Sequence, residues 1–394
     1  MQYRSFGKVN FQASALGFGC MRLPKTASGD IDEALATQML YYAIDNGVNY
    51  LDTAYPYHGG ESERLLGKVL KGSYRQRVKV ATKMPCWAVK SADDFDRLFD
   101  EQRTKLQADR IDFYLLHGLS ASRWSKVRDC GVRDWLDRAL ADGRIGAAGF
   151  SFHDSFAIFK EVIESYPHWS MCQIQYNYMN EEIQAGTAGL TFAAAKGLAV
   201  VVMEPLLGGR LATPPDSVRT IWAEAEIQRS PVEWAMRWLW HKPEVSVVLS
   251  GMSTMQQMAD NVEYAGHSGV GLMTDAELAT VERAREQYEA LTAVPCTACG
   301  YCMPCPNGVD IPRNMGIFNN GLMYGSLAEA RERYHFINRD QTDVILGSSC
   351  IQCLDCEPLC PQNIPISEWM PYIHDVLDKG KPYDPAEQPP KRRT

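Results

Sequence analysis

Four side chains able to move or hold protons stand at the ends of three short apolar runs. NYLDTA delivers Asp52, with Tyr57 five residues further on in AYPYHGG; RVKVATK delivers Lys83; IDFYLLHG delivers His117. A hydride that reaches a carbonyl carbon leaves an alkoxide in need of a proton. A phenol, with an ordinary pKa of about 10, becomes a competent donor when a cation lies beside it. Lys83 suits the cation, Asp52 its counter-ion, and His117 a donor that orients the carbonyl oxygen. Singly, each residue has a plainer reading: a turn carboxylate, a packed ring, a solvated ammonium, a core imidazole. Their arrival on three consecutive strand ends gives the set its weight.

A second chemistry lies toward the C-terminal end. CTACGYCMPCP places Cys296, Cys299, Cys302 and Cys305 with two residues between neighbours, and CIQCLDCEPLCP places Cys350, Cys353, Cys356 and Cys360 as C-x2-C-x2-C-x3-C-P. The latter is the bacterial iron–sulfur spacing in which the fourth cysteine ligates the other cluster. Two sets in series predict two [4Fe-4S] clusters, one on Cys296, Cys299, Cys302 and Cys360, the other on Cys350, Cys353, Cys356 and Cys305. Zinc is the alternative, but its sites usually take two C-x2-C pairs from separate loops. The last gap of the first set is one residue shorter than that of the second. Cys20, Cys86, Cys130 and Cys172 lack ligand spacing and read as ordinary thiols, with Cys20 and Cys86 placed to line a pocket.

These groups need elements to hold them. From residue 15 to about 265 the chain alternates apolar runs with longer amphipathic stretches: ALGFG, NYLDTA, RVKVATK, IDFYLLHG, RIGAAGFS, CQIQYN, LAVVVMEP and SVVLSG are eight candidate strands. Continuous apolar strands alternating with helices imply right-handed crossovers and a parallel sheet, and eight such units match a (β/α)8 TIM barrel. A doubly wound open sheet is the runner-up, weakened because no G-x-G-x-x-G follows an early strand. MQYRSFGKVNFQAS fits a hairpin closing the bottom of the barrel. Between the two cysteine sets, DIPRNMGIFNNGLMYG and SLAEARERYHFIN are helical in pattern. The expected organisation is an α/β barrel over 1–290, a small helical ferredoxin-like domain over 291–378, and a Pro- and charge-rich tail over 379–394 without fixed structure.

With 394 residues, 45% of them hydrophobic, the chain can bury one large core and a smaller one. A net charge of −8 argues against a nucleic-acid partner. The compact basic run Lys391–Arg393 reads as a solvated tail. No stretch approaches the ~18 apolar residues of a membrane span, so the expectation is a soluble, cytoplasmic protein. In a reducing compartment its twelve cysteines are thiols, redox groups or ligands and not disulfides.

LDTAYPYHGGESERLLGKVL, VATK and YLLHG resemble the motifs of the aldo-keto reductase family, and the likeness runs through most of residues 1–285. The resemblance implies a barrel that binds NADPH extended, without a Rossmann fold, and interconverts an aldehyde or ketone with its alcohol. It makes Tyr57 the general acid/base, Lys83 and Asp52 its tuning pair, and His117 the carbonyl orienter. It places Ser151 and Gln173 at the nicotinamide carboxamide, with Phe152 where an Asn is usual and Met203 where a ring-stacking Tyr is usual. Pro205, Leu206 and Gly208 of EPLLGGR fall along the pyrophosphate, or form a plain turn. Ser250, Gly251, Ser253 and Gln257 fall toward the adenosine phosphate, and Asn261 toward the adenine. The Lys and Arg that many members carry there are absent, so NADP(H) is preferred and NAD(H) admitted. The C-terminal part resembles the iron–sulfur branch of the same family. Its open roles are a structural or docking appendage, an electron port to a flavoprotein or ferredoxin partner, or a redox sensor. A rival reading of the whole chain is an electron-transfer or partner-docking protein whose barrel has lost catalysis. Trp87 and Trp124 are candidate walls of a site for a small carbonyl substrate, and His58 is a loop residue.

Overall fold

The computed structural model describes residues 1–296, 298–340 and 346–392, with 337–340 described by backbone alone. Among the described residues ten strands occur in chain order: β1 Tyr3–Phe6, β2 Val9–Ser14, β3 Leu16–Gly19, β4 Tyr50–Asp52, β5 Lys79–Met84, β6 Ile111–Leu119, β7 Ile145–Phe152, β8 Trp169–Gln175, β9 Ala199–Met203 and β10 Val245–Ser250. Strands β3 to β10 are the eight expected from the apolar runs. They close into a parallel barrel in the order β10-β3-β4-β5-β6-β7-β8-β9. Closure is made by Val248 opposite Leu16 and Val245 opposite Val200, which rules out the open sheet. β1 and β2 form the expected antiparallel hairpin. It pushes Phe6 against Tyr50 and Phe113, with ring centroids 5.6 and 4.7 Å away. Its turn needs Gly7, because φ is +54° and a β-carbon there would stand 2.4 Å from the Ala199 amide nitrogen.

The period of two along each strand aims the chemistry. Tyr50, Ala81, Phe113 with Leu115, Ala147, Met171, Ala199 with Val201, and Val247 with Leu249 fill the barrel interior. Stepping by two toward the C-terminal end of each strand reaches Asp52, Lys83, His117, Ser151, Gln173, Met203 and Gly251 in turn. The apolar layers therefore form a floor, and the polar residues stand above it on one face, where barrel enzymes carry their sites.

On the outer side of β5 a buried polar network grips the strand that bears Lys83. Glu63, fully buried on helix Glu61–Val69, accepts from Thr82 Oγ1 and Gln102 Nε2, both at 2.6 Å. The Gln102 amide also donates to the Lys83 carbonyl at 3.1 Å, and Tyr114 OH donates to Gln102 Oε1 at 2.7 Å. Lys105 Nζ lies 3.6 Å from the other Glu63 oxygen. Removing this acceptor leaves the buried Thr82 hydroxyl without its carboxylate and takes one partner each from Gln102 and Lys105, which keep Lys83 O and Glu101. We expect Glu63→Ala to destabilise the barrel by about 2–4 kcal/mol, read as a lowered urea midpoint at unchanged slope; a loss below about 0.5 kcal/mol would contradict the network's role.

The chain divides into two compact units, residues 1–209 with 229–278 and residues 210–228 with 279–394. The partition differs from a boundary at 290. Segment 210–228, which carries helix Asp216–Ala223, groups with the C-terminal unit. There Arg210 pairs with Glu329 at 3.1 Å and lies 5.5 Å over the Tyr324 ring. Tyr288 is buried and meets that ring at 5.4 Å, so the second half of helix Asp275–Ala290 also joins this unit. Helices Ile311–Met323, Leu327–Asp340 and Ile366–Leu377 pack around Val309, Met315, Phe318, Trp369 and Ile373. The tail differs from the expectation of no fixed structure. Trp369 Nε1 donates to Pro390 O at 3.0 Å, Tyr372 OH to Asp384 O at 3.1 Å, and Lys391 Nζ to Thr292 O at 3.0 Å. Its prolines restrict the chain and its carbonyls find aromatic donors on the module, which composition does not reveal; Arg393 of the basic run, and residue 394 after it, lie outside the described residues. Among the described residues no helix is long and apolar enough to cross a membrane.

Candidate functional site

Lys83 is the hub of the barrel's polar face. Its ammonium, almost wholly buried, donates to Asp52 Oδ1 at 2.6 Å, to Thr53 O at 2.8 Å and to Tyr57 OH at 3.4 Å. Tyr57 reaches it from a sharp turn, Tyr57–Gly60, in which His58 and Gly59 both take left-handed backbone angles, φ 52° and 65°. His58 is thus a loop residue, as expected. His117 points inward from β6, its ring edge-on to Tyr57 at 6.0 Å and tilted against Trp87 at 5.2 Å. Its Nδ1 is buried and, among the described residues, has no hydrogen-bond partner.

The electrostatics follow from burial and one ion pair. Burial pulls against a charged Lys83, but Asp52 and then Tyr57 outweigh it and hold the ammonium above its ordinary pKa. Burial raises Asp52, and Lys83 partly offsets this. Burial also raises Tyr57, against the pull of Lys83, so the hydroxyl is a phenol through the neutral range. Burial, then the charge of Lys83, pushes His117 down to about 2. The imidazole is neutral and can donate one N–H without carrying charge.

Other expected site residues converge on the same face. Ser151 Oγ accepts from Gly118 N at 2.7 Å, and Gln173 Nε2 donates weakly to Asp52 Oδ2 at 3.5 Å while its Oε1 has no partner among the described residues. Met203 ends β9, and Pro205, Leu206 and Gly208 follow in the next turn, Gly208 exposed with φ +73°. Past β10, Thr254 caps helix Met255–Gly266; Ser253 N donates to Gln257 Oε1 at 2.8 Å, and Ser253 Oγ to Arg22 O at 2.8 Å. Asn261 is buried and donates to Ser250 Oγ at 3.0 Å, tying that helix to the strand end.

Trp87 is 43% exposed beside His117, where a pocket wall belongs. Trp124 differs: it is buried on helix Ala121–Asp129 and packs against Trp169 at 6.4 Å, between helix and barrel. Cys20 and Cys86 are buried. Cys20 feels Asp52 and Lys83, while burial pushes the Cys86 thiol up to about 12. Sequence reasoning missed Gln175, two residues beyond Gln173 on the inner face of β8. It is 2% exposed, and among the described residues neither polar atom of its amide has a partner. Strand parity alone would have found it.

The cysteines ring two hollows in the C-terminal unit. Cys296, Cys299, Cys302 and Cys360 line one; Cys305, Cys350, Cys353 and Cys356 line the other. Each set of three is completed by the last cysteine of the other, which tests the fit of a cluster on this chain's own geometry. Among the described residues no three His, Cys, Asp or Glu side chains close on a single ion. Burial lifts the Cys302 and Cys356 thiols to about 11 and about 12, so iron binding at these sites must displace protons. Cys299 and Cys353 are exposed, the other six half-buried.

Comparison with known proteins agrees with both units. The profile of the Aldo/keto reductase family matches residues 15–285, and that of the 4Fe-4S dicluster domain residues 295–364. The 6-dehydroglucose reductase of Novosphingobium aromaticivorans is 27% identical over 66% of this chain and 89% of its own length. The L-galactose dehydrogenase of Arabidopsis thaliana is 25% identical over 74% and 97%. Among solved structures, the holo form of aldo-keto reductase AKR11C1 from Bacillus halodurans superposes with a TM-score of 0.61 at 24% identity, covering 72% of this chain and 96% of that one, a likeness of fold. With a family profile spanning most of its length, the chain belongs to the aldo/keto reductase family and carries a 4Fe-4S dicluster domain behind its barrel.

Proposed function

We propose that the barrel is an NAD(P)H-dependent carbonyl reductase. The observation that carries this is the position of Lys83 Nζ, 2.6 Å from Asp52 and 3.4 Å from Tyr57 OH. The nicotinamide, when bound, supplies or accepts the hydride. The phenol gives its proton to the oxygen of the reduced carbonyl, and Lys83 steadies the phenolate that remains. Asp52 keeps Lys83 charged and in place. Neutral His117 donates to the carbonyl oxygen and fixes its angle against Tyr57. Ser151 and Gln173 hold the carboxamide, Pro205, Leu206, Gly208 and Gly251 follow the phosphates, and Ser250, Ser253, Gln257 and Asn261 shape the adenosine end. Met203 takes the ring-facing place. The helix past β10 has no Lys or Arg, so the preference for NADP(H) is modest.

Two [4Fe-4S] clusters on the exchanged cysteine sets complete the cofactor complement. A second reading, electron exchange with a redox protein, is favoured by the surface at the second hollow. There Ile351 and Leu354 are 68% and 46% exposed beside exposed Cys353. The test is a carbonyl panel with NADPH and NADH on anaerobically purified protein, weighted toward sugars because two relatives are named for them. Turnover on at least one carbonyl supports the reductase. Its absence across the panel, with reduced clusters passing electrons to a flavoprotein or ferredoxin, supports the second reading and ends the first.

A further inference from the structure

Beside His117 the site carries a cationic face that proton and hydride transfer do not use. Arg123 lies in the first turn of helix Ala121–Asp129, which follows β6. Its Nη1 donates at 2.8 Å to the carbonyl of Gly118, the residue after His117. A β-carbon at Gly118, whose φ is +61°, would stand 2.8 Å from that nitrogen and 4.0 Å from His153 Cδ2, so the glycine is what admits the guanidinium to the strand end. The guanidinium carbon lies 5.8 Å over the Trp87 ring, and that ring lies 5.2 Å from His117. Lys126, three residues along the same helix, donates to Trp87 O at 2.9 Å. The half-exposed indole thus stands between the catalytic imidazole and two cations.

No acid balances this face. Among the described residues neither Arg123 nor Lys126 pairs with a carboxylate. Asp154, on the loop after β7, gives its two carboxylate oxygens to the Ala121 and Ser155 amides. Burial and then Lys83 push the His117 imidazole down, and His153 and Arg123 push it the same way. The guanidinium is held in place by a carbonyl at one nitrogen and an indole against its plane, so part of the rotamer entropy that binding would remove is already gone. The rest of its fork matches two oxygens of a carboxylate or a phosphate. We infer that the substrate carries such an anionic group, paired by Arg123 across Trp87 while its carbonyl lies at His117 and Tyr57. The inference rests on the reductase reading above and names the substrate class: a small aldehyde or ketone whose charged end lies about the width of an indole from the reacting carbon. Arg123 is then the residue that selects the substrate, and it takes no part in the proton transfer.

The experiment compares matched pairs of carbonyl compounds on the cluster-loaded protein with NADPH: 4-oxobutanoate against butanal for a carboxylate, and glyceraldehyde 3-phosphate against glyceraldehyde for a phosphate. The unsubstituted protein is expected to favour the charged member of at least one pair in kcat/KM, and the pair that shows it tells carboxylate from phosphate. Arg123→Gln is expected to lower that charged-over-neutral ratio about 5- to 30-fold, the lower part of the range for a charge-assisted contact because the guanidinium is open to water. The loss should fall mainly on KM, and the preference should shrink as salt is added. Arg123→Lys, which keeps the charge but loses the fork, is expected to fall between. A charged-over-neutral preference that survives Arg123→Gln would overturn the inference, and so would an unsubstituted protein that turns over neutral carbonyls as well as or better than their charged partners in both pairs. If no carbonyl at all is reduced, the reductase reading itself fails, an outcome distinct from the other two.

Discussion

Replacing Tyr57 by Phe is expected to lower kcat/KM for carbonyl reduction by about 10²- to 10⁴-fold, the usual worth of a positioned proton donor. The substitution removes one hydroxyl from a half-buried ring and keeps the ring's edge-on contact with His117 at 6.0 Å. The pH profile carries more information than the loss itself. Burial holds the Tyr57 hydroxyl above its ordinary pKa even with Lys83 beside it. Reduction, which needs the protonated phenol, is therefore expected to stay level from about pH 6 to about pH 10 and fall only above that. The reverse oxidation, which needs the phenolate, should rise toward high pH. His117, pushed down to about 2 by burial and then by Lys83, should give no limb near its ordinary pKa of about 6.5. A bell with an acid limb between pH 6 and 7, lost in His117→Gln, would show that this imidazole works as the cation and would contradict the assignment.

The second large effect concerns iron. If the cysteine sets are exchanged, Cys360→Ala empties the same cluster as Cys296→Ala, and Cys305→Ala the same one as Cys350→Ala. Each single replacement is expected to lower iron and sulfide by about half. Pairing is diagnostic: the double variant at Cys296 and Cys360 should lose no more iron than either single, while that at Cys296 and Cys305 should lose nearly all of it. Chain-sequential sets predict the reverse. Cluster loss is also expected to lower the melting temperature of the C-terminal unit, because both hollows lie against its core at Ile311 and Ile366. Metal-binding free energy in so small a domain contributes directly to its folding.

What was legible in the sequence was whatever repeats with a fixed period or a fixed spacing. Eight apolar runs became eight strands, because a strand buried on both faces has nowhere to place polar residues. Asp52, Lys83 and His117 were readable as strand ends, and the spacing of the cysteines anticipated which of them line each hollow. Trp124 was misplaced because an aromatic after a strand does not declare whether it faces the pocket or the helix layer. Gln175 went unnoticed although Gln173 two residues earlier was chosen. The bond of Arg22 with Ser253 and the Glu63–Gln102 network were invisible for a different reason: their partners lie 12 to more than 200 residues away, and no local pattern encodes such contacts. The tail and segment 210–228 show the same limit, since their place within the C-terminal unit depends on tertiary contacts such as Arg210 with Glu329.

The proposed hydride transfer belongs to the face where Lys83 joins Asp52 to Tyr57. The most direct measurement is isotopic: NADPH deuterated at nicotinamide C4 is given to the anaerobic protein with a reducible carbonyl, and the alcohol is analysed by mass spectrometry. Deuterium on the carbinol carbon with the unsubstituted protein, and almost none with Tyr57→Phe at equal cluster content, is the predicted result. Alcohol that forms without deuterium, or label transfer that survives Tyr57→Phe at the original rate, would contradict it.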